Sequence, residues 1–227
     1  MMTIRELHTL LKNGTFHAGN ATVTDNVECK GMTYPRFTNE FWTSKQRDAH
    51  SIHEISYRAC FKPQLPRFFI ERLTAPGDIV YDPFSGRGTT VLEAGLLGRR
   101  VIANDINPLS ALLSRPRFFL PDMHVLTSRL TEIAELPVIQ TADIDIGMFY
   151  HHATMSELLR LRHYFLQKEK NLTLDHCDAW IRMVATNRLT GHSKGFFSVY
   201  TLPPNQAITA ERQIKINEIS NKVSLLH

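Results

Sequence analysis

Hydrophobic and polar positions alternate at two different periods along this chain, and the periods mark its elements. Over residues 3–12, Ile4, Leu7, Leu10 and Leu11 share one helical face. Residues 13–38 are rich in Gly, Asn and Thr and read as loop with short strands. A helix over 66–73 presents Leu65, Phe68, Phe69 and Leu73, with Pro66 suited to its first turn. Residues 78–81 are a short, mostly apolar run, expected to be a strand buried on both faces of a parallel sheet. Asp82 and Pro83 end it. Thr89 is placed to cap a helix over 90–97, and Gly98 to stop it in a left-handed turn. Residues 100–104 make the next strand, closed by Asp105.

The remainder is mainly helical. Helices are expected over 109–114, ending before Pro116, and over 125–136. Residues 143–147 read as strand or turn. Residues 153–170 carry an apolar stripe of Met155, Leu158, Leu159, Phe165 and Leu166, with Arg160, Arg162, His163, Lys168 and Lys170 around it. Asp175 can cap a further helix with Asp178 in its first turn, and Trp180, Ile181, Val184 and Leu189 are its expected core face. A Gly-Ser-Lys loop over 191–195, a strand-like run over 196–201 and a polar helix or frayed tail over 210–226 complete the chain.

Strand, glycine turn, helix and second strand form one βαβ unit, and ligands bind at the carboxyl ends of such strands. In the turn Ser85-Gly86-Arg87-Gly88, both glycines accept backbone angles that a Cβ forbids. Asp105 follows Asp82 by about 20 residues, where an acidic side chain accepts hydrogen bonds from ribose hydroxyls. A dinucleotide fits poorly. The third glycine of a pyrophosphate turn is missing, and Asp82 repels phosphate while attracting a cation. A ligand with an amino group, a sulfonium and a ribose suits the site better.

The stretch DPFSGRGTT resembles the first motif of the S-adenosylmethionine-dependent DNA amino-methyltransferases, which act on the exocyclic amine of cytosine (N4) or adenine (N6). NDINP is similar to their second motif, and FKPQLPRFFIERLTAPGD to the segment before the turn. The resemblance covers residues 41–118. It implies a Rossmann-like α/β methyltransferase fold with S-adenosylmethionine as cofactor, DNA as partner, and a place in restriction–modification. It further implies that Asp82, Gly86 and Gly88 shape and contact the amino-acid end of the cofactor, bordered by Pro83, Phe84, Ser85, Arg87 and Thr89. Asp105 would hold the ribose, Ile106 and Asn107 would flank the adenine, and Lys62 and Pro63 would lie near the methionine part. Three regions are expected: an N-terminal helix and loop (1–40), the cofactor-binding core (41–120), and a mainly helical region (121–227) that could contact DNA as an insertion.

Composition agrees without deciding. A hydrophobic content of 43% suffices for a packed core, and the net charge of +4 suits a polyanionic partner. Cys29, Cys60 and Cys177 show neither metal nor disulfide spacing, which fits a reducing cytoplasm. No apolar run approaches membrane-spanning length. His50 and His53 lack a third ligand, and adjacent His151 and His152 point to different sides of a helix, so no metal is expected. Phe41 and Trp42, beside Lys45 and Arg47, read as edge packing rather than as a base-stacking platform. The basic face of 153–170 reads as a solvated helix surface rather than as a phosphate contact.

The resembled family also carries a catalytic loop of Ser, Asp or Asn, two prolines and an aromatic, which holds the target amine and stacks the flipped base. The one Pro-Pro here is Thr201-Leu202-Pro203-Pro204-Asn205. Leu202 lacks an acceptor and Asn205 is not aromatic, so Pro203, Pro204 and Asn205 are weak catalytic candidates and a rigid turn is preferred. Methylation at carbon five of cytosine is excluded, because the cysteines follow Glu28, Ala59 and His176 rather than the proline that precedes that family's nucleophile. The sheet is expected to be incomplete, with the catalytic motif beyond this chain or on a second polypeptide. An RNA methyltransferase relative and a non-catalytic S-adenosylmethionine-binding subunit or remnant remain alternatives.

Overall fold

Local backbone chemistry sets the ends of the helices in the computed structural model, which describes residues 2–14, 16, 21–40, 49–55, 57, 60–139, 145–189 and 209–219. They fall into two units, Met1–Ser114 and Arg115–His227.

In the first unit, α1 (Ile4–Asn13) opens on a capping box: the Thr3 hydroxyl accepts from the Glu6 amide while the Glu6 carboxylate accepts from the Thr3 amide. Strands β1 (Val23–Cys29) and β2 (Met32–Thr38) pair as an antiparallel hairpin, which supplies the short strands expected in that stretch. Its two-residue turn, Lys30–Gly31, has φ of +49° and +75°, the left-handed pair that matches hairpin twist. Pro35 is tolerated because a two-stranded ribbon has only edge strands.

Helix α2 (Gln64–Leu73) packs on α3 (Thr89–Leu96), and α3 packs on strands β3 (Ile79–Asp82) and β4 (Arg100–Ala103). The strands are parallel, with Ile79 opposite Arg100 and Tyr81 opposite Ile102. Val91 and Ala94 of α3 are fully buried. Two expectations fail here. Strand β3 is not buried on both faces. Successive side chains alternate across a strand, and α3 covers one face, while Ile79, Tyr81 and Ile102 stay 49%, 57% and 51% exposed. Thr89 does not cap α3 either. The cap is Gly88, at φ 85° and ψ 26°, and Thr89 is the first helical residue. Gly98, at φ +75°, ends the helix as expected. Arg99 then ties the turn into β4 to the end of α2, donating to the Thr74 hydroxyl and carbonyl, both at 2.9 Å. Helix α4 (Pro108–Ser114) closes the unit.

The second unit holds α5 (Met123–Glu135), α6 (His152–Lys170), α7 (His176–Arg188) and α8 (Ala210–Ile219). Asp122 caps α5, and Asp175 and Asp178 form a capping box on α7. Ile133, Tyr164, Phe165, Cys177 and Ile181 make the core. The expected faces hold in part: Leu159, Phe165 and Ile181 are buried, but Leu166 and Val184 are exposed, while Tyr164, Cys177 and Met183 are buried. The buried Asp178 carboxylate explains part of this. It accepts from Tyr164 Oη at 2.7 Å and from Arg129 of α5, with Lys168 Nζ at 3.6 Å. That polar knot turns the Tyr164 side of α6 inward. Burial, followed by the Asp178 hydrogen bond and charge, pushes the Tyr164 phenol well above its ordinary range. No helix among the described residues is long and apolar enough to cross a membrane.

Candidate functional site

The carboxyl ends of β3 and β4 lie side by side, so the loops after them meet. Asp82 Oδ1 accepts from the Phe84 amide at 3.0 Å, folding the chain back sharply at the end of β3. Its carbonyl accepts from the Asn104 amide at 2.9 Å, the last rung of the sheet. Ser85 is buried: its amide donates to the Asn104 carbonyl at 3.0 Å, and its hydroxyl shares a bond with Ser110 Oγ at 2.9 Å. Pro83 accepts through its carbonyl from Asn104 Nδ2 at 3.3 Å.

The two loops are joined at Asp105. Its Oδ2 accepts from the Gly86 amide at 2.7 Å, and its Oδ1 from the Asn107 amide at 2.9 Å. These amides, Asn107 first and then Gly86, hold the Asp105 carboxyl below the ordinary carboxylate range. A carboxylate has about four acceptor positions, so each oxygen keeps one for a ligand donor. Gly86, at φ +51°, turns its amide toward that carboxylate. Gly88 is required on two grounds: its φ is +85°, and a Cβ there would lie 2.7 Å from Ser114 Cβ. Phe84 and Ile106 stand out at 86% and 100% exposure on the two loops.

Behind the turn lies a support that the sequence did not reveal. Arg87 donates to the Ile55 carbonyl at 2.9 Å, the His53 carbonyl at 3.4 Å and Thr89 Oγ1 at 3.1 Å. The cation of the glycine turn is therefore engaged with the chain's own carbonyls. His53 Nε2 lies 2.7 Å from Glu93 Oε1, both side chains buried, and Glu93 Oε2 lies 3.4 Å from Arg67. His50 Nδ1 accepts from the Ile52 amide, so the two histidines serve separate structural tasks. The anchored segment leads to Tyr57, whose ring carbon Cε1 lies 3.3 Å from where a Gly86 Cβ would be. Tyr57 Oη lies 3.4 Å from Asn107 Nδ2. These long-range pairs leave no periodic trace in the sequence.

Of the remaining candidates, Pro63 is buried at the N-cap of α2, and the exposed Lys62 accepts through its carbonyl from the Leu65 amide. Thr89 is buried, its hydroxyl toward Arg87. On α6, Arg160 donates to the Ala134 carbonyl at 2.8 Å and Lys168 lies over the Tyr164 ring, so two of its cations are turned to protein. Phe41, Trp42, the 191–201 loop and strand, and Pro203, Pro204 and Asn205 lie outside the described residues.

With this geometry in place, comparison with known proteins is specific. Residues 21–111 match the model of the N6/N4 DNA methylase family. The chain is 33% identical over 89 residues to the Type II methyltransferase M.MjaII of Methanocaldococcus jannaschii, covering 39% of this chain and 16% of that protein. It is 35% identical over 63 residues to the tRNA (guanine(10)-N2)-dimethyltransferase of the same organism, covering 27% and 18%. Among solved structures it is similar to PvuII DNA methyltransferase (cytosine-N4-specific), at 36% identity over 34% of this chain and 27% of that one, with a TM-score of 0.29. The chain thus spans less than a fifth of the length of these two curated relatives. The residues matched by the N6/N4 DNA methylase model include the glycine turn and Asp105, so the likeness to that family runs through the segment built around them.

Proposed function

We propose that the crevice between the glycine turn and Asp105 binds S-adenosylmethionine and that the chain serves methyl transfer to the exocyclic amine of cytosine or adenine in DNA. The observation that carries this reading is the Asp105 carboxylate, tied to the Gly86 and Asn107 amides. It holds the turn and the acidic loop as one unit at the ends of two parallel strands, with acceptor capacity left for ribose hydroxyls. Asp82 supplies a second carboxylate for an ammonium group at the amino-acid end. Gly86 and Gly88 let the ligand approach the backbone, with Pro83, Ser85 and Thr89 forming the base of the turn. Phe84 and Ile106 offer apolar surface to an adenine, with Asn107 beside them. Lys62 and Pro63, at the start of α2, complete the methionine side. The engagement of Arg87 with carbonyls argues against a phosphate ligand.

The bound sulfonium would supply the methyl group, and direct transfer to an amine needs no covalent intermediate on the protein. The test is a methyl-transfer assay with labelled S-adenosylmethionine on mixed-sequence DNA and on transfer RNA, followed by nucleoside analysis. Label in N4-methylcytosine or N6-methyladenine supports the proposal. Label in guanine of transfer RNA favours the second reading, motivated by the transfer-RNA enzyme among the relatives. Binding without any transfer favours a cofactor-binding part that does not act alone.

A further inference from the structure

We propose that Tyr57 is a cofactor-contacting residue of this crevice, its ring lying against the middle of the bound molecule; the proposal rests on the S-adenosylmethionine reading above. Tyr57 lies just before the segment that opens at Phe61, within the residues that carry the family resemblance but outside its quoted motifs, and it reaches the crevice through the anchored segment before α2. Arg87 holds the carbonyls of His53 and Ile55, and the buried His53–Glu93 pair fixes the same segment to α3. Two residues further on, the Tyr57 ring stands 3.3 Å from the space that the missing Cβ of Gly86 leaves open. Its hydroxyl reaches to 3.4 Å from Asn107 Nδ2.

The side chain therefore spans the two loops that Asp105 joins. On the proposed reading these loops hold opposite ends of one ligand: the amino-acid end at Gly86 and the adenine at Asn107. A molecule that touches both has to pass along Tyr57. Its central part is a sulfonium next to a ribose. An aromatic ring suits that place, because its π face attracts a positive charge that it does not attract in the neutral thioether product. Tyr57 is half-buried, so the ring gains a partner without being pulled from a packed core.

The experiment is calorimetric titration of S-adenosylmethionine and S-adenosylhomocysteine into the full chain, its Tyr57→Ala variant and its Tyr57→Phe variant, with thermal unfolding of each. Tyr57→Ala is expected to bind S-adenosylmethionine about tenfold more weakly and to lose less affinity for S-adenosylhomocysteine, whose sulfur is neutral. Tyr57→Phe, which keeps the ring, is expected to bind both within about threefold of the parent. Unchanged or tighter binding by Tyr57→Ala overturns the assignment. So does an equal loss for both ligands with a lowered unfolding midpoint, since that marks damage to the fold. Failure of the parent chain to bind either ligand is a different outcome, which removes the S-adenosylmethionine reading itself and the Tyr57 assignment with it.

Discussion

Replacing Gly88 by alanine tests the close approach on which the glycine turn is built. Gly88 has φ +85°, and a Cβ built there meets Ser114 Cβ at 2.7 Å and Val91 Cγ2 at 3.3 Å. The Ser114 contact is with the part of the side chain fixed to the backbone, and both neighbours are buried, so neither can swing away. Left-handed geometry costs a non-glycine residue about 1–2 kcal/mol. Forcing a methyl group into packed surroundings adds about 1–3 kcal/mol. Gly88→Ala is thus expected to destabilise the chain by about 2–5 kcal/mol. Gly77 supplies the control. Its φ is +89°, but a Cβ there meets nothing within 4 Å. Gly77→Ala should therefore cost the conformational part alone, about 1–2 kcal/mol. Urea unfolding followed by circular dichroism measures both variants against the parent. Equal losses for the two substitutions would refute the close approach of α4 to the turn, whatever their size.

Two further outcomes follow from the charged groups. Asp178→Ala leaves Arg129 without its buried carboxylate and Tyr164 without its acceptor, and is expected to cost about 3–5 kcal/mol, read by urea unfolding with tyrosine fluorescence. A loss below about 1 kcal/mol would mean that the knot is not buried in solution. Asp105 gives a pH dependence. Its folded value lies below its unfolded value, so its contribution to stability is complete above the unfolded carboxylate value near 4 and is lost as pH falls through the folded one. The stability difference between the parent and Asp105→Asn should accordingly be present at about pH 7 and shrink below about pH 4; a difference that does not change with pH would contradict the amide bonds to Asp105.

What could be read along the chain was what neighbouring residues decide among themselves. Asp175 with Asp178 forms a capping box across one helical turn, and that helix start is visible in the sequence, as is the apolar face of α1 behind its own box of Thr3 with Glu6. Gly98 stops α3 for an equally local reason. Errors came where a residue's role depends on partners distant in the chain. Thr89 looks like a cap, but the left-handed Gly88 takes that place and the Thr89 hydroxyl serves Arg87. Residues 78–81 have the composition of a doubly covered strand, yet covering a second face takes layers that composition does not report. On α6, hydrophobicity finds Leu159 and Phe165 but misplaces Leu166, because the Arg129–Asp178–Tyr164 knot draws the Tyr164 side inward. The glycine turn and Asp105 were legible as motifs. The amide bonds that join them, and the His53–Glu93 pair beneath, were not, because nothing periodic encodes a contact between distant loops.

The central claim is that the crevice joined at Asp105 holds S-adenosylmethionine, and calorimetric titration of that molecule into the purified 227-residue chain tests it most directly, with Asp105→Ala measured beside it. Saturable binding by the parent and weaker binding by the variant are the results expected. Absence of binding by the parent would contradict the claim, and equal affinity in the two proteins would contradict the role given to Asp105.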